Sequence, residues 1–160
     1  MPNKFSRILG EHELEGFDFS KEELVAFISK ASTMVNSGSG ELVQKPSEEG
    51  LTQLAYEQDG WRYVDSFAGR YRVRGMELVW YKKMPVWASS YGGGMTTRDR
   101  DMSRAAHTFL LQALSIDAKG FDSFRGPSDL TLGKWHYAYE QHGNVTEFWG
   151  EEKIRYDKEL

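Results

Sequence analysis

Apolar positions along the chain fall into two helical runs, and each is followed by runs that alternate as strands do. In the first, Leu24, Phe27, Ile28, Ala31, Met34 and Val35 recur at the spacing of one helix face. Ser20 stands just before it, and Glu23 three residues on completes a capping box. Phe19 and Leu24 are placed to form a hydrophobic staple, and Asn36-Ser37-Gly38 ends the helix. The second run is Met102, Ala105, Ala106, Phe109, Leu110, Ala113 and Leu114. It follows the glycine triplet Gly92–Gly94, which releases the chain into the helix. Thr96 or Thr97 is the expected cap, with Asp99 three residues after Thr96, and Gly120 the expected stop.

Between and after the helices the period changes. Residues 37–50 are small, polar and breaker-rich, hence a loop. Leu51–Gln58 and Trp61–Phe67 read as strands joined by Asp59-Gly60, a two-residue hairpin signal. Gly69–Gly75 is a short extended piece that puts Arg70, Arg72 and Arg74 on one side. Met76–Lys82 is a further strand, Lys83-Met84-Pro85 a turn and Val86–Tyr91 another strand. After the second helix, residues 121–133 are loop-like. Lys134–Gln141 is then a strand, His142-Gly143-Asn144 a turn, Val145–Trp149 a strand, and Lys153–Tyr156 the start of one more. The connections are too short for crossover helices, so the strands form antiparallel meanders.

The chain also echoes itself. Ala55-Tyr56-Glu57-Gln58-Asp59-Gly60 recurs as Ala138-Tyr139-Glu140-Gln141-His142-Gly143. Pro46-Ser47 is echoed by Pro127-Ser128, Phe67-Ala68-Gly69 by Phe148-Trp149-Gly150, and Glu77-Leu78-Val79 by Glu152-Lys153-Ile154. The expected fold is α+β: two helices packed on bent antiparallel sheet, in two pseudo-repeated helix-plus-meander halves, 19–95 and 96–160. Residues 1–18 are an N-terminal arm, and 19–160 make one domain. The second half is expected to lack the counterpart of the strand Val86–Tyr91.

Composition narrows the class. The chain has 160 residues, 39% hydrophobic and 28% charged, a soluble globular balance. Aromatics at 14% favour pleated, half-buried surfaces. A net charge of −4 argues against direct nucleic-acid binding. With no cysteine there is neither a disulfide framework nor thiolate chemistry, which fits a cytoplasmic location. No apolar run is long enough to span a membrane, and the first sixteen residues lack a signal-peptide core.

Several blocks point to a family: Tyr56-Glu57, Trp61-Arg62-Tyr63, Asp65-Ser66-Phe67, then Gly69, Arg72, Gly75 and Glu77. They continue as Pro85-Val86-Trp87-Ala88, Tyr91-Gly92-Gly93-Gly94 and Phe124-Arg125-Gly126-Pro127. From about Phe19 to Tyr156 the chain resembles the bacterial and archaeal family called domain of unknown function 5680. Members of that family stand alone or follow an Xre-type helix-turn-helix domain in apparent transcription regulators, with no established activity. The resemblance therefore implies organisation and context, not chemistry. The stretch ahead of Ser20 is too short for such a DNA-binding domain, and the chain ends before the closing strand and glycines expected of relatives.

Candidate chemistry is sparse. Gly92–Gly94 before a helix suggests an anion cradle reinforced by Arg98 and Arg100, but no Walker or GxGxxG pattern accompanies it. The favoured explanation is that these glycines turn the chain between the halves and let helix and sheet approach closely. Arg70, Arg72 and Arg74 form either an anion-binding row or a charged edge that resists aggregation, and Arg72 alone matches the family pattern. Trp61, Tyr63, Trp80, Trp87 and Tyr91 line either an aromatic pocket or the core. Asp65 and Glu77 are the candidate catalytic carboxylates, and Glu57, Glu140 and Glu147 add further acids. His12, His107, His136 and His142 lack metal-ligand spacing, so no metal and no cofactor are expected.

Three functions remain open. The first is a non-catalytic ligand-sensing or protein-binding module, linked by the resemblance to transcription regulation. In it Arg72, Glu77, Trp87, Tyr91 and Arg125 hold a small anionic or aromatic molecule at the seam between halves. The second is an enzyme using Asp65 and Glu77. The third is a structural protein forming a homodimer through an unfinished sheet edge.

Overall fold

The computed structural model describes residues 16–116 and 123–156. The N-terminal arm up to residue 15 and the expected stop at Gly120 lie outside them. Helix α1, Lys21–Asn36, begins as the capping box requires: the Glu23 amide donates to Ser20 Oγ at 3.1 Å and the Ser20 amide to Glu23 Oε2 at 2.6 Å. Phe19 packs edge-on against Trp61 and Tyr81, ring centroids 4.7 and 5.0 Å away. Leu24, Phe27, Ile28, Ala31 and Val35 are buried, the face that the periodicity marks out.

Five strands follow in sheet order β1-β2-β3-β4-β5, every neighbour antiparallel. They are β1 (Glu41–Leu42), β2 (Thr52–Gln58), β3 (Trp61–Ala68), β4 (Arg72–Tyr81) and β5 (Met84–Gly94). Asp59 and Gly60 take positive φ of 50° and 84°, as a two-residue hairpin of matching twist demands. The next hairpin corrects the expected turn. Lys82 and Lys83 carry the positive φ, 47° and 70°, while Met84 and Pro85 already pair with Tyr81 and Trp80. Proline is tolerated there because β5 is an edge strand.

The glycine triplet is not a release into a helix. Gly92, Gly93 and Gly94 pair with Arg74, Val73 and Arg72 as the end of β5. A Cβ on Gly94 would sit 2.2 Å from the Tyr71 carbonyl oxygen, so its bareness serves close backbone approach. Helix α2, Arg100–Leu114, starts six residues later, and its cap is Asp99, whose Oδ1 accepts from the Met102 amide at 2.7 Å. Thr97 instead accepts from the Asp99 amide. The anion-cradle reading fails for this reason: extended glycines separated from the helix start do not aim its N–H groups at a common point.

The second sheet has order β6-β7-β8: Asp129–Leu132, Trp135–Asn144 and Glu147–Tyr156. Strand β6 arises where a loop was expected. His142-Gly143-Asn144 remain in β7, the chain turns at Val145-Thr146, and β8 is one continuous strand instead of two. Two helices and two antiparallel sheets make the fold α+β.

The larger core cluster joins the sheets. Leu24, Phe27, Ile28, Ala31 and Val35 of α1 meet Tyr63, Val79, Val86 and Trp87 of the first sheet, together with Phe124 and Val145 from the second half. Full burial of each large apolar side chain contributes about 1.5–3 kcal/mol. A second cluster sets Phe109, Ala113 and Leu114 of α2 on Tyr137 and Tyr139. Among the described residues no helix is long and apolar enough to cross a membrane.

Candidate functional site

The register of the first sheet lines up Asp65, Glu77 and Ser89 directly across β3, β4 and β5. Asp65 and Glu77 are both buried, at 8% and 2% exposure. Like charges directly opposite one another oppose pairing, so this row needs compensation. Glu77 is surrounded by donors. Tyr63 gives its hydroxyl proton to Oε1 at 2.9 Å, Ser89 gives its own to Oε2 at 2.8 Å, and the Arg125 guanidinium lies 3.6 Å from Oε1. Asp65 has the Tyr91 hydroxyl, donating to Oδ1 at 2.8 Å.

Tyr91 reaches Asp65 only because of Gly75, its opposite number on β4. A Cβ on Gly75 would lie 2.2 Å from the Tyr91 ring, so the ring crosses β4 over bare backbone. Arg125 then stacks on Tyr91, 4.8 Å from the ring centroid, a cation–π contact. Its other nitrogen holds Glu152 Oε1 of β8 at 3.4 Å, and Tyr137 donates to Glu152 Oε2 at 2.9 Å. Arg125 thus ties both sheets together through one planar fork.

Burial, then the neighbouring Glu77 charge, push the Asp65 carboxyl up to about 6, against the opposing pull of Tyr91 and Arg125. Burial and the adjacent carboxylates raise Tyr63 and Tyr91 well above the ordinary phenol range, so both stay protonated donors. Burial works against the charge on Arg125, but Glu152 and Glu77 outweigh it and hold the guanidinium firmly protonated.

A groove of about 2710 Å³ opens at this cluster, walled by β5, β8 and one face of α2. Asp65, Ser89, Tyr91, Arg125 and Glu152 line it. Of the candidates from the sequence, Glu77, Tyr91 and Arg125 converge, and Asp65 joins them. Trp87 borders the groove but is mainly core: its Nε1 donates to the Val145 carbonyl at 2.9 Å and its ring stacks on Phe148 at 5.9 Å. Arg72 stands apart, exposed at the far end of β4 opposite Gly94.

A family profile described as "Domain of unknown function (DUF5680)" matches residues 65–160, more than half the chain. The chain belongs to the domain of unknown function 5680 family. No curated relative and no solved structure matches it. The matched segment of this domain of unknown function 5680 protein begins at Asp65 and contains every other groove residue named above.

Tyr63, expected as a pocket or core aromatic, serves as a hydrogen-bond donor to Glu77, while Ser89, Tyr137 and Glu152 were not expected as site residues from the sequence. A signal did exist for the last. Gly75-x-Glu77-x-Val79-x-Tyr81 matches Gly150-x-Glu152-x-Ile154-x-Tyr156, and each glutamate accepts from a tyrosine diagonally across its hairpin, Tyr63 and Tyr137 respectively. The earlier echo of Tyr56 by Tyr139 falls on differently placed strands, the second of five and the middle of three. Among the described residues no group of His, Asp and Glu side chains is arranged to hold a metal.

Proposed function

We propose that this domain is a non-catalytic binding module that takes its ligand in the groove between the two sheets, over Asp65, Tyr91 and Arg125. The carrying observation is the size of that groove together with the charged network on its wall. Arg125 is already engaged by Glu77 and Glu152, so it is poorly placed to hold an added anion. Within this cluster the carboxylates of Asp65, Glu77 and Glu152 outnumber the one guanidinium, which at this point of a groove also lined by Arg70, Arg100, Arg104 and Arg155 favours a ligand group that brings hydrogen-bond donors or positive charge over the anionic one expected from sequence. An aromatic portion suits the Tyr91 and Trp87 side of the groove. The family resemblance supports a role as the sensing partner of a DNA-binding domain, and the absence of cysteine fits the cytoplasm.

A thermal-shift screen of the full chain against a metabolite and peptide library tests this. A ligand at 100 times its Kd stabilises the fold by about 2.7 kcal/mol. The shift should shrink in Asp65→Asn. A library that leaves the melting curve unmoved would sink the proposal.

A second reading keeps an enzyme in view on one observation: Asp65, titrating at about 6 beside an open groove, is suited to exchange a proton near neutral pH. A turnover signal with a bell-shaped pH profile, abolished in Asp65→Asn, would favour it.

A further inference from the structure

Resting on the groove reading, we infer that its occupant is an extended polypeptide segment of a partner protein, added as a strand to the outer edge of β8. Strand β8 is the edge of its sheet among the described residues. Asn144 and Glu147 flank a two-residue turn, which makes them a hydrogen-bonded pair. The alternation of an antiparallel ladder then turns the N–H and C=O groups of Phe148, Gly150, Glu152, Ile154 and Tyr156 away from β7. That edge lies along the groove for its full length, about 33 Å for ten residues in extended geometry. The groove is also larger than a small-molecule pocket, ordinarily about 300–1,000 Å³.

The first half shows what such an edge accepts. Strand β4 is the counterpart of β8 by its Gly-x-Glu-x-Val/Ile-x-Tyr spacing, and by ring pairs: Trp61 on Tyr81 at 4.5 Å matches Trp135 on Tyr156 at 4.7 Å. The helix contact repeats too, Phe27 stacking on Trp61 at 5.2 Å and Phe109 on Trp135 at 5.5 Å. On β4 the edge is covered by β5, whose Ser89 stands opposite Glu77 and donates to it. Among the described residues Glu152 has its tyrosine and Arg125 but no hydroxyl from a strand beside it. Where Asp65 stands opposite Glu77, Tyr139 stands opposite Glu152. Tyr139 already lies over Gly150, where a Cβ would come within 2.5 Å of its hydroxyl oxygen. The arriving strand must therefore carry a hydroxyl opposite Glu152 and a small residue opposite Gly150. The Glu152 carboxylate itself suits a hydroxyl or basic side chain and rejects an acidic one at that position.

The test uses the full chain and a synthetic peptide with the β5 sequence, Met84–Gly94, carrying Tyr91→Gly. Hydrogen exchange and fluorescence anisotropy are read together. Expected is saturable binding that slows exchange of the Phe148, Gly150, Glu152, Ile154 and Tyr156 amides. Ser89→Ala in the peptide should weaken binding about tenfold, as should Glu152→Gln in the protein, with no further loss when both are combined. The unaltered Tyr91 peptide should bind less well. The inference falls if these amides already exchange slowly in the free monomer, or slow only with rising protein concentration, which would assign the edge to a second copy. It also falls if a small molecule shifts melting through Asp65 while the peptide does not bind, and then the groove reading survives. If neither binds, both fail.

Discussion

Asp65→Asn separates the cost of a buried carboxyl from its use. In the unfolded chain this group titrates near its ordinary 3.8, and in the fold near about 6. The folded state holds the proton more tightly, so this contribution favours the fold fully below about pH 4. It is lost as pH rises through about 6. At about 1.4 kcal/mol per tenfold in proton affinity, the loss reaches about 3 kcal/mol at pH 8. Asparagine cannot ionise and escapes that loss, while its carbonyl still accepts from the Tyr91 hydroxyl. The weaker neutral hydrogen bond and the lost attraction to Arg125 together return about 1–2 kcal/mol. Asp65→Asn should therefore be more stable than wild type by about 1–2 kcal/mol at pH 8, a rise in Tm of about 2–8 °C. At pH 4 it should be equal or slightly less stable. Urea denaturation of both proteins at pH 4, 5, 6, 7 and 8 measures this. A difference between them that stays flat with pH, or grows in favour of wild type as pH rises, would refute the reasoning.

Three further outcomes follow from the same network. Arg125→Ala leaves Glu77 and Glu152 without their shared cation and should cost about 3–5 kcal/mol in denaturant melts, whereas a loss below 1 kcal/mol would mean that the bridge is not structural. Gly75→Ala drives a methyl into the Tyr91 ring and should cost about 1–3 kcal/mol; Gly75→Ala with Tyr91→Ala should lose less than the two single changes summed, and strict additivity would show that the ring does not cross Gly75. Ser20→Ala removes the acceptor for the Glu23 amide and should cost about 1 kcal/mol without changing ligand response.

What was legible in the sequence was local. The capping box, the apolar face of α1 and the Asp59-Gly60 turn are each set by residues within a few positions of one another, so neighbouring side chains suffice to specify them. The convergence of Glu77 with Asp65 was not legible in this way, because it depends on the register between β3 and β4. Other features answer to distant partners. Gly92–Gly94 look like a hinge in isolation, yet become strand because the start of β4 offers Arg72–Arg74 to pair with. His142-Gly143-Asn144 look like a turn, yet continue β7 because β8 supplies Phe148, Trp149 and Glu147 opposite them. Turn residues permit a turn but do not compel it when a ladder can satisfy their backbone groups.

The sequence by itself thus determined the class of the fold, its first helix and the family. Only the tertiary structure decided that Arg125, from a loop, spans Glu77 and Glu152 of different sheets, and that Asp65 keeps its proton to about pH 6. Charge balance in a buried cluster is a sum over groups brought together from across the chain, and no local pattern carries that sum.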